Sequence, residues 1–129
     1  MEEALIALLL GHVPVAGVFG KRVRLGRAPQ KDAVPYAVLQ VIDINRGYTF
    51  KGADGLVRSR VQIDIYAEKY STAKEAARIV EALLSGHKDN FFRAIFLEDH
   101  RDLPAADAGN VNTLFRVSLD IIVYYGETQ

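Results

Sequence analysis

Cysteine and tryptophan are absent from the 129 residues, methionine occurs once and proline four times. Without cysteine there is no disulfide framework, thiolate nucleophile, iron–sulfur cluster or cysteine zinc site. An excess of one charge is also missing, because 16 Lys and Arg balance 16 Asp and Glu. That removes the electrostatic basis of a general nucleic-acid binder, whose affinity comes largely from cations neutralising phosphates, and of a polybasic membrane anchor. Long hydrophobic runs are lacking too. The apolar run Ala4–Leu10 falls far short of the ~20 residues of a membrane-spanning helix. It also follows Glu2 and Glu3, where a secretory signal would carry Lys or Arg.

Half of the residues are apolar, and a chain of this size buries roughly two-thirds of the surface exposed when unfolded, enough for one core. The expectation is a single domain over residues 1–129, with no repeat, low-complexity tract or linker. Glu2–Leu10 predicts a short opening helix with acids in its first turn and Gly11 as a stop. Pro14, Gly17, Gly20, Gly26 and Pro29 then predict a connection holding only a brief strand at Arg22–Leu25. Pro35–Ile44 is apolar on both parities and predicts a central strand covered on both faces. A long hairpin follows, its projecting tip spanning Arg46–Gly55.

The return strand Leu56–Ala67 alternates, with Val57, Val61, Ile63 and Ile65 opposed to Arg58, Arg60, Gln62 and Asp64. Thr72 and Glu75 have capping-box spacing ahead of an amphipathic helix carrying Ala73, Ala76, Ala77, Val80, Leu83 and Leu84, which Gly86 ends. Phe91–Leu97 predicts another strand, Glu98–Asn112 a polar loop, and Thr113–Tyr125 a closing strand. Together these give an α+β fold: an antiparallel sheet of four or five strands with two main helices packed on one face.

Catalytic constellations fail on spacing. His12, His87 and His100 are scattered, and Asp43–Gly47 lacks a calcium loop's third oxygen ligand and carries Arg46 instead. No nucleophile elbow or phosphate loop is present. No catalytic, metal or cofactor residues are assigned, and the chain reads as a non-enzyme. Asp64 and Asp120 remain as possible facing carboxylates of a small hydrolase, set against pairing with Arg58, Arg60 or Arg116 across neighbouring strands.

Two features stand out as candidate interfaces. One is the hairpin tip, where Tyr48 and Phe50 sit beside Arg46, Lys51 and Asp54; aromatics and arginine dominate interface hot spots, although such a hairpin can also pack back on its own sheet. The other is the polar face with Arg58, Arg60, Gln62, Asp64, Arg116, Ser118 and Asp120. Alternation alone leaves it open as a solvated face, a polar subunit interface or the lining of a ring.

The opening helix, the Pro35-Tyr36 strand, the Gly52-Ala53-Asp54-Gly55-Leu56 turn, the Arg60-Val61-Gln62-Ile63-Asp64-Ile65-Tyr66-Ala67 strand, the alanine-rich helix and the closing Phe115-Arg116-Val117-Ser118-Leu119-Asp120 strand occur in an order that resembles the tail-completion, or tail-terminator, proteins of long-tailed phages, prophages and gene transfer agents. The resemblance covers nearly the whole chain. It implies a virion structural protein, assembled in the bacterial host cytoplasm, that forms a six-membered ring of its own copies on the head-proximal end of the tail tube. Such a ring stops tube growth and offers the surface that joins the head connector. Its implied partners are itself, the tail tube protein and the connector protein, with DNA only passing through and no cofactor or membrane. Another small neck component that binds DNA or a partner protein is the alternative. Residues 1–65 hold 9 basic and 6 acidic side chains, a balance of +3, and residues 66–129 hold 7 and 10, a balance of −3. If the halves lie on opposite flanks, neighbouring copies meet with complementary potential.

Overall fold

The computed structural model describes residues 1–27, 33–50, 52–104 and 114–126. In chain order these form α1 (Glu2–Leu10), α2 (Val13–Phe19), β1 (Val23–Leu25), β2 (Tyr36–Thr49), β3 (Gly52–Ala67), α3 (Tyr70–Leu84), β4 (Phe92–Pro104) and β5 (Phe115–Gly126). The strands build one sheet in the order β1-β2-β3-β5-β4. The α+β class is as expected, but the sheet is mixed, because β1 runs parallel to β2 while every other neighbour pair is antiparallel. The chain returns between Leu25 and Tyr36 before β2 starts in the same direction, a connection that a parallel pair requires and that alternation does not reveal.

The opening helix matches the expected Glu2–Leu10 and buries Leu5 and Leu9, one turn apart. A helix then forms where repeated proline and glycine predicted only a connection. Pro14 sits in the first turn of α2, where a missing N–H costs nothing, and Val15 and Phe19 are buried on one face. Their burial outweighs the roughly 1 kcal/mol that Gly17 costs inside a helix. In α3 the buried side chains are Ala73, Ala76, Ala77, Val80 and Leu84, and Gly86 lies just beyond the end at φ +74°, a left-handed backbone that glycine adopts without a Cβ clash. The expected capping box is not formed: Lys69 is the N-cap and no side chain caps the helix. Thr72 therefore falls inside the first turn.

All three helices share one face of the sheet. α3 lies on β3, β4 and β5, α2 joins α1 to α3, and α1 reaches β1. Beneath them are Val57, Val61, Ile63, Ile65 and Ala67 of β3 and Val117, Leu119, Ile121 and Val123 of β5, all buried. Ser59 interrupts this row, and its hydroxyl lies 3.4 Å from the Tyr125 hydroxyl.

Two sequence expectations are corrected at the flanks. β2 lies between β1 and β3 and is buried over Ala37–Leu39, with Val41 still packed against the core; from Ile42 to Arg46, past the end of β1, it is exposed and forms an outer edge, not a central strand. The stretch Glu98–Pro104 continues β4 and is not a loop, because an irregularity between Leu97 and Asp99 shifts the alternation and hides the strand period from the sequence. Residues 105–112 of the expected loop, and Thr113 of the expected closing strand, lie outside the described residues.

Ile63 is fully buried in the middle of the sheet and Ile42 is 47 % exposed. Ile63→Ala is expected to lower the unfolding free energy by about 2–5 kcal/mol, and Ile42→Ala by less than about 0.5 kcal/mol, measured by denaturant unfolding.

Candidate assembly surfaces

The face opposite the helices can be read across the strands from the registers. One row is Tyr36, Tyr66, Arg116 and Leu103; the next is Val38, Asp64, Ser118 and Arg101; then Gln40, Gln62, Asp120 and Asp99; then Asp43, Arg60, Ile122 and Phe96. Arg58, Arg60, Asp64, Arg116 and Asp120 are thus brought to one face, as the alternation requires. Asp64 and Asp120 are only 5 % and 6 % exposed although no helix covers them. Arginine side chains close over them. Arg116 Nη2 donates to Asp64 at 3.1 Å, and Gln62 Nε2 reaches both oxygens of the same carboxylate at 3.1 and 3.0 Å.

Arg101 carries the second carboxylate. Its Nη1 lies 2.8 Å from Asp120 and 3.0 Å from Asp99, two acids that are direct cross-strand partners. Like charges placed opposite each other destabilise a sheet, and the shared guanidinium cancels that repulsion. Arg60 pairs with Glu98 on the neighbouring side. Asp64 and Asp120 do not face one another in register, since Asp64 opposes Ser118 and Asp120 opposes Gln62. Each is committed to an arginine, Asp64 to the expected Arg116 and Asp120 to Arg101, a residue assigned to a loop by sequence reading.

At the row's end the Tyr36 and Tyr66 rings stack at 5.0 Å between centroids, and the Arg116 guanidinium lies 5.8 Å from the centre of the Tyr66 ring. Burial pushes the Tyr66 hydroxyl above its ordinary value, against the opposing effect of Arg116.

The hairpin forms a separate surface. β5 stops at Gly126 opposite Leu56 and β4 starts at Phe92 opposite Tyr125, whereas β2 and β3 pair onward to Thr49–Gly52. Among the described residues, the ribbon beyond Leu56 therefore has no strand on its β5 side. Phe50, at its turn, is completely exposed, and Arg46 is exposed where a second irregularity of β2 begins. Lys51 and the side chains of Tyr48 and Asp54 lie outside the described residues.

A third cluster links β4 to α3, and sequence reading missed it. Tyr70, Lys74 and Glu81 recur at helical spacing along α3 and meet His100 and Asp102, two positions apart on β4. The Tyr70 hydroxyl donates to Asp102 at 2.6 Å and Lys74 Nζ to the other oxygen at 3.1 Å. Lys74 also lies 2.9 Å from His100 Nε2. An ammonium can only donate, so Nε2 accepts, and the Nδ1–H of the ring faces Glu81. The hydrogen bond from Tyr70, with that from Lys74 next, holds the Asp102 carboxyl below its ordinary 3.8. Bonding to Asp102 raises Lys74 in turn.

Two outcomes are expected. Arg116→Ala leaves Asp64 with Gln62 alone and is expected to cost about 1–3 kcal/mol in unfolding free energy, while Arg58→Ala, which removes no ion pair among the described residues, is expected to change it by under about 0.5 kcal/mol. A carboxyl depressed on folding stabilises the native state above its unfolded value and loses that contribution as pH falls through the folded one. Asp102 therefore stabilises the fold above the ordinary 3.8, and the contribution disappears as pH drops below that value. Thermal unfolding between pH 2 and pH 6 should show a shallower acid loss for Asp102→Asn than for the parent chain.

Among the described residues no three His, Asp or Glu side chains are placed to hold a metal ion, and no single helix is long and apolar enough to cross a membrane. No curated protein matches the chain. A solved chain from the virion of a native gene transfer agent particle is similar in fold, with a TM-score of 0.79 at 17% identity over 98% of this chain and 94% of that one. The family model described as tail completion protein gp17 matches residues 3–126. The chain thus belongs to the tail completion protein gp17 family, and is a structural component of a phage-type virion tail and not an enzyme.

Proposed function

We propose that the protein, as one domain over residues 1–129, caps the head-proximal end of the tail tube as a ring of its own copies, six in number. It halts tube growth there and presents the surface on which the head connector docks. Family membership supplies the tail setting. The observation that carries the capping role is the β2–β3 ribbon, which runs past Gly126, the last described residue of β5, and holds Phe50 wholly in solvent. A fully exposed aromatic at the turn of a projecting ribbon is placed to contact another chain, and aromatics are enriched at interface hot spots. We assign that contact to the tube or to a neighbouring copy.

The helix-free face supports the same reading. Most of its carboxylates and arginines are already paired within the chain, which leaves little uncompensated positive charge to retain phosphates. Such a face suits the lining of an opening through which DNA travels without being held.

Tails assembled with Phe50→Ala, or with residues 48–55 deleted, are expected to show tubes of irregular length and at least about tenfold fewer head-joined particles, the effect of losing a hot-spot contact. Electron microscopy of the tails reads both quantities. Unchanged tube lengths and unchanged joining would remove the ribbon from the mechanism.

A further inference from the structure

The two outer edges of the sheet differ in chemistry. On one side, β1 and its flanks carry Lys21, Arg22, Arg24 and Arg27, and no acid occurs anywhere from Ala4 to Lys31. Past the end of β1, the same edge continues as β2 with Ile42 47 % exposed. On the other side, β4 carries Glu98, Asp99 and Asp102 against Arg101 within one stretch, preceded by Phe96 and Leu97, which are 54 % and 36 % exposed.

The registers place these features at matching heights. Leu25 is level with Leu39, Ile63, Leu119 and His100 in turn, and Val23 with Ala37, Ile65, Val117 and Asp102. The β1 ladder therefore stands level with His100–Asp102 of β4, Arg24 itself with Arg101, and Asp99 is level with Gln40, one position past the last β1 pair. Val41 is level with Val61, Ile121 and Leu97, and Asp43 with Arg60, Ile122 and Phe96. Ile42 lies between them, so the exposed apolar side chains of the two edges are level as well. Strand polarity agrees, because the order of parallel and antiparallel pairs makes β4 run opposite to β1 and β2.

We propose that the β4 edge of one copy docks on the β1–β2 edge of the next, head to tail, with basic residues meeting acidic ones and Ile42 meeting Phe96 and Leu97. This rests on the ring reading above and names the surfaces that close the ring. A contact between two different patches is the kind that generates rings. The acids of β4 have partners in their own chain, Arg60 for Glu98, Arg101 for Asp99 and Lys74 for Asp102. The stretch itself still holds three acids to one arginine, and among the described residues the approaching edge sets Lys21, Arg22, Arg24 and Arg27 against Asp43. The irregularity between Leu97 and Asp99 limits any continuous backbone ladder, so side chains set the match.

The test uses two charge-reversed full-length chains, Lys21→Glu with Arg27→Glu, and Glu98→Lys with Asp99→Lys. Circular dichroism first checks that each folds. Assembly is read by native mass spectrometry and by electron microscopy, with and without tail tubes. Each variant alone is expected to lose about tenfold or more in association, since like charges then face each other. An equimolar mixture should assemble again, because the altered edge of one variant complements the altered edge of the other, their unaltered edges complement each other as in the parent, and an even-numbered ring can alternate the two. If the parent chain forms rings and either variant does so equally well, or the mixture fails to recover, the contact proposed here is wrong while the ring reading stands. If the parent chain forms no ring either alone or on tubes, both fall together.

Discussion

Twelve consecutive residue pairs join β3 to β5, from Leu56–Gly126 to Ala67–Phe115, with no irregularity. Everything else depends on that ladder. A strand alternates faces at every residue, so one uninterrupted register decides for both strands which side chains enter the core and which meet the other face. α3 packs on this pair, and the remaining strands attach outside it. Irregularities are confined to the flanks, two in the pairing of β2 with β3 and two in that of β4 with β5. The centre is therefore regular, and the chain is re-aimed only where it meets its surroundings.

The helix-free face shows how such a molecule keeps one side polar without leaving it loose. Asp64 and Asp120 are nearly as inaccessible as the core, yet their cover is arginine and not hydrocarbon. Pairs of this kind add little net stability, because removing charges from water costs about as much as their attraction returns. Their geometry is demanding, however. Arg101 bridges Asp99 and Asp120 only in the observed register, and Arg116 reaches Asp64 only from the adjacent position of β5. The lattice thus discriminates among registers that an all-valine face would tolerate equally.

Legibility in the sequence followed regularity. α1, α3, β3 and β5 repeat one period without interruption and could be read from their apolar spacing, as could the face that gathers Arg58, Arg60, Asp64, Arg116 and Asp120. α2 was hidden because Pro14 and Gly17 signal a break unless proline falls in the first turn. The second half of β4 was hidden because the shift after Leu97 moves its residues to the other parity, and because His100 and Asp102 face Tyr70, Lys74 and Glu81 in place of apolar neighbours. Arg101 as the partner of Asp120 was lost with it. Clusters assembled from a helix and a distant strand have no local spacing to betray them.

The irregular, charged edge of β4 has a bearing on the life of the isolated chain. Sixteen charges of each sign and an isoelectric point near 6.8 give almost no colloidal repulsion between copies at neutral pH. A long, flat, apolar edge strand would then recruit any exposed strand and seed precipitates. Shifts between Phe92 and Ala94 and between Leu97 and Asp99, together with the acids that follow, spoil such indiscriminate pairing. Protection of this edge against indiscriminate pairing thus lies in local backbone shape, where many proteins rely on net charge.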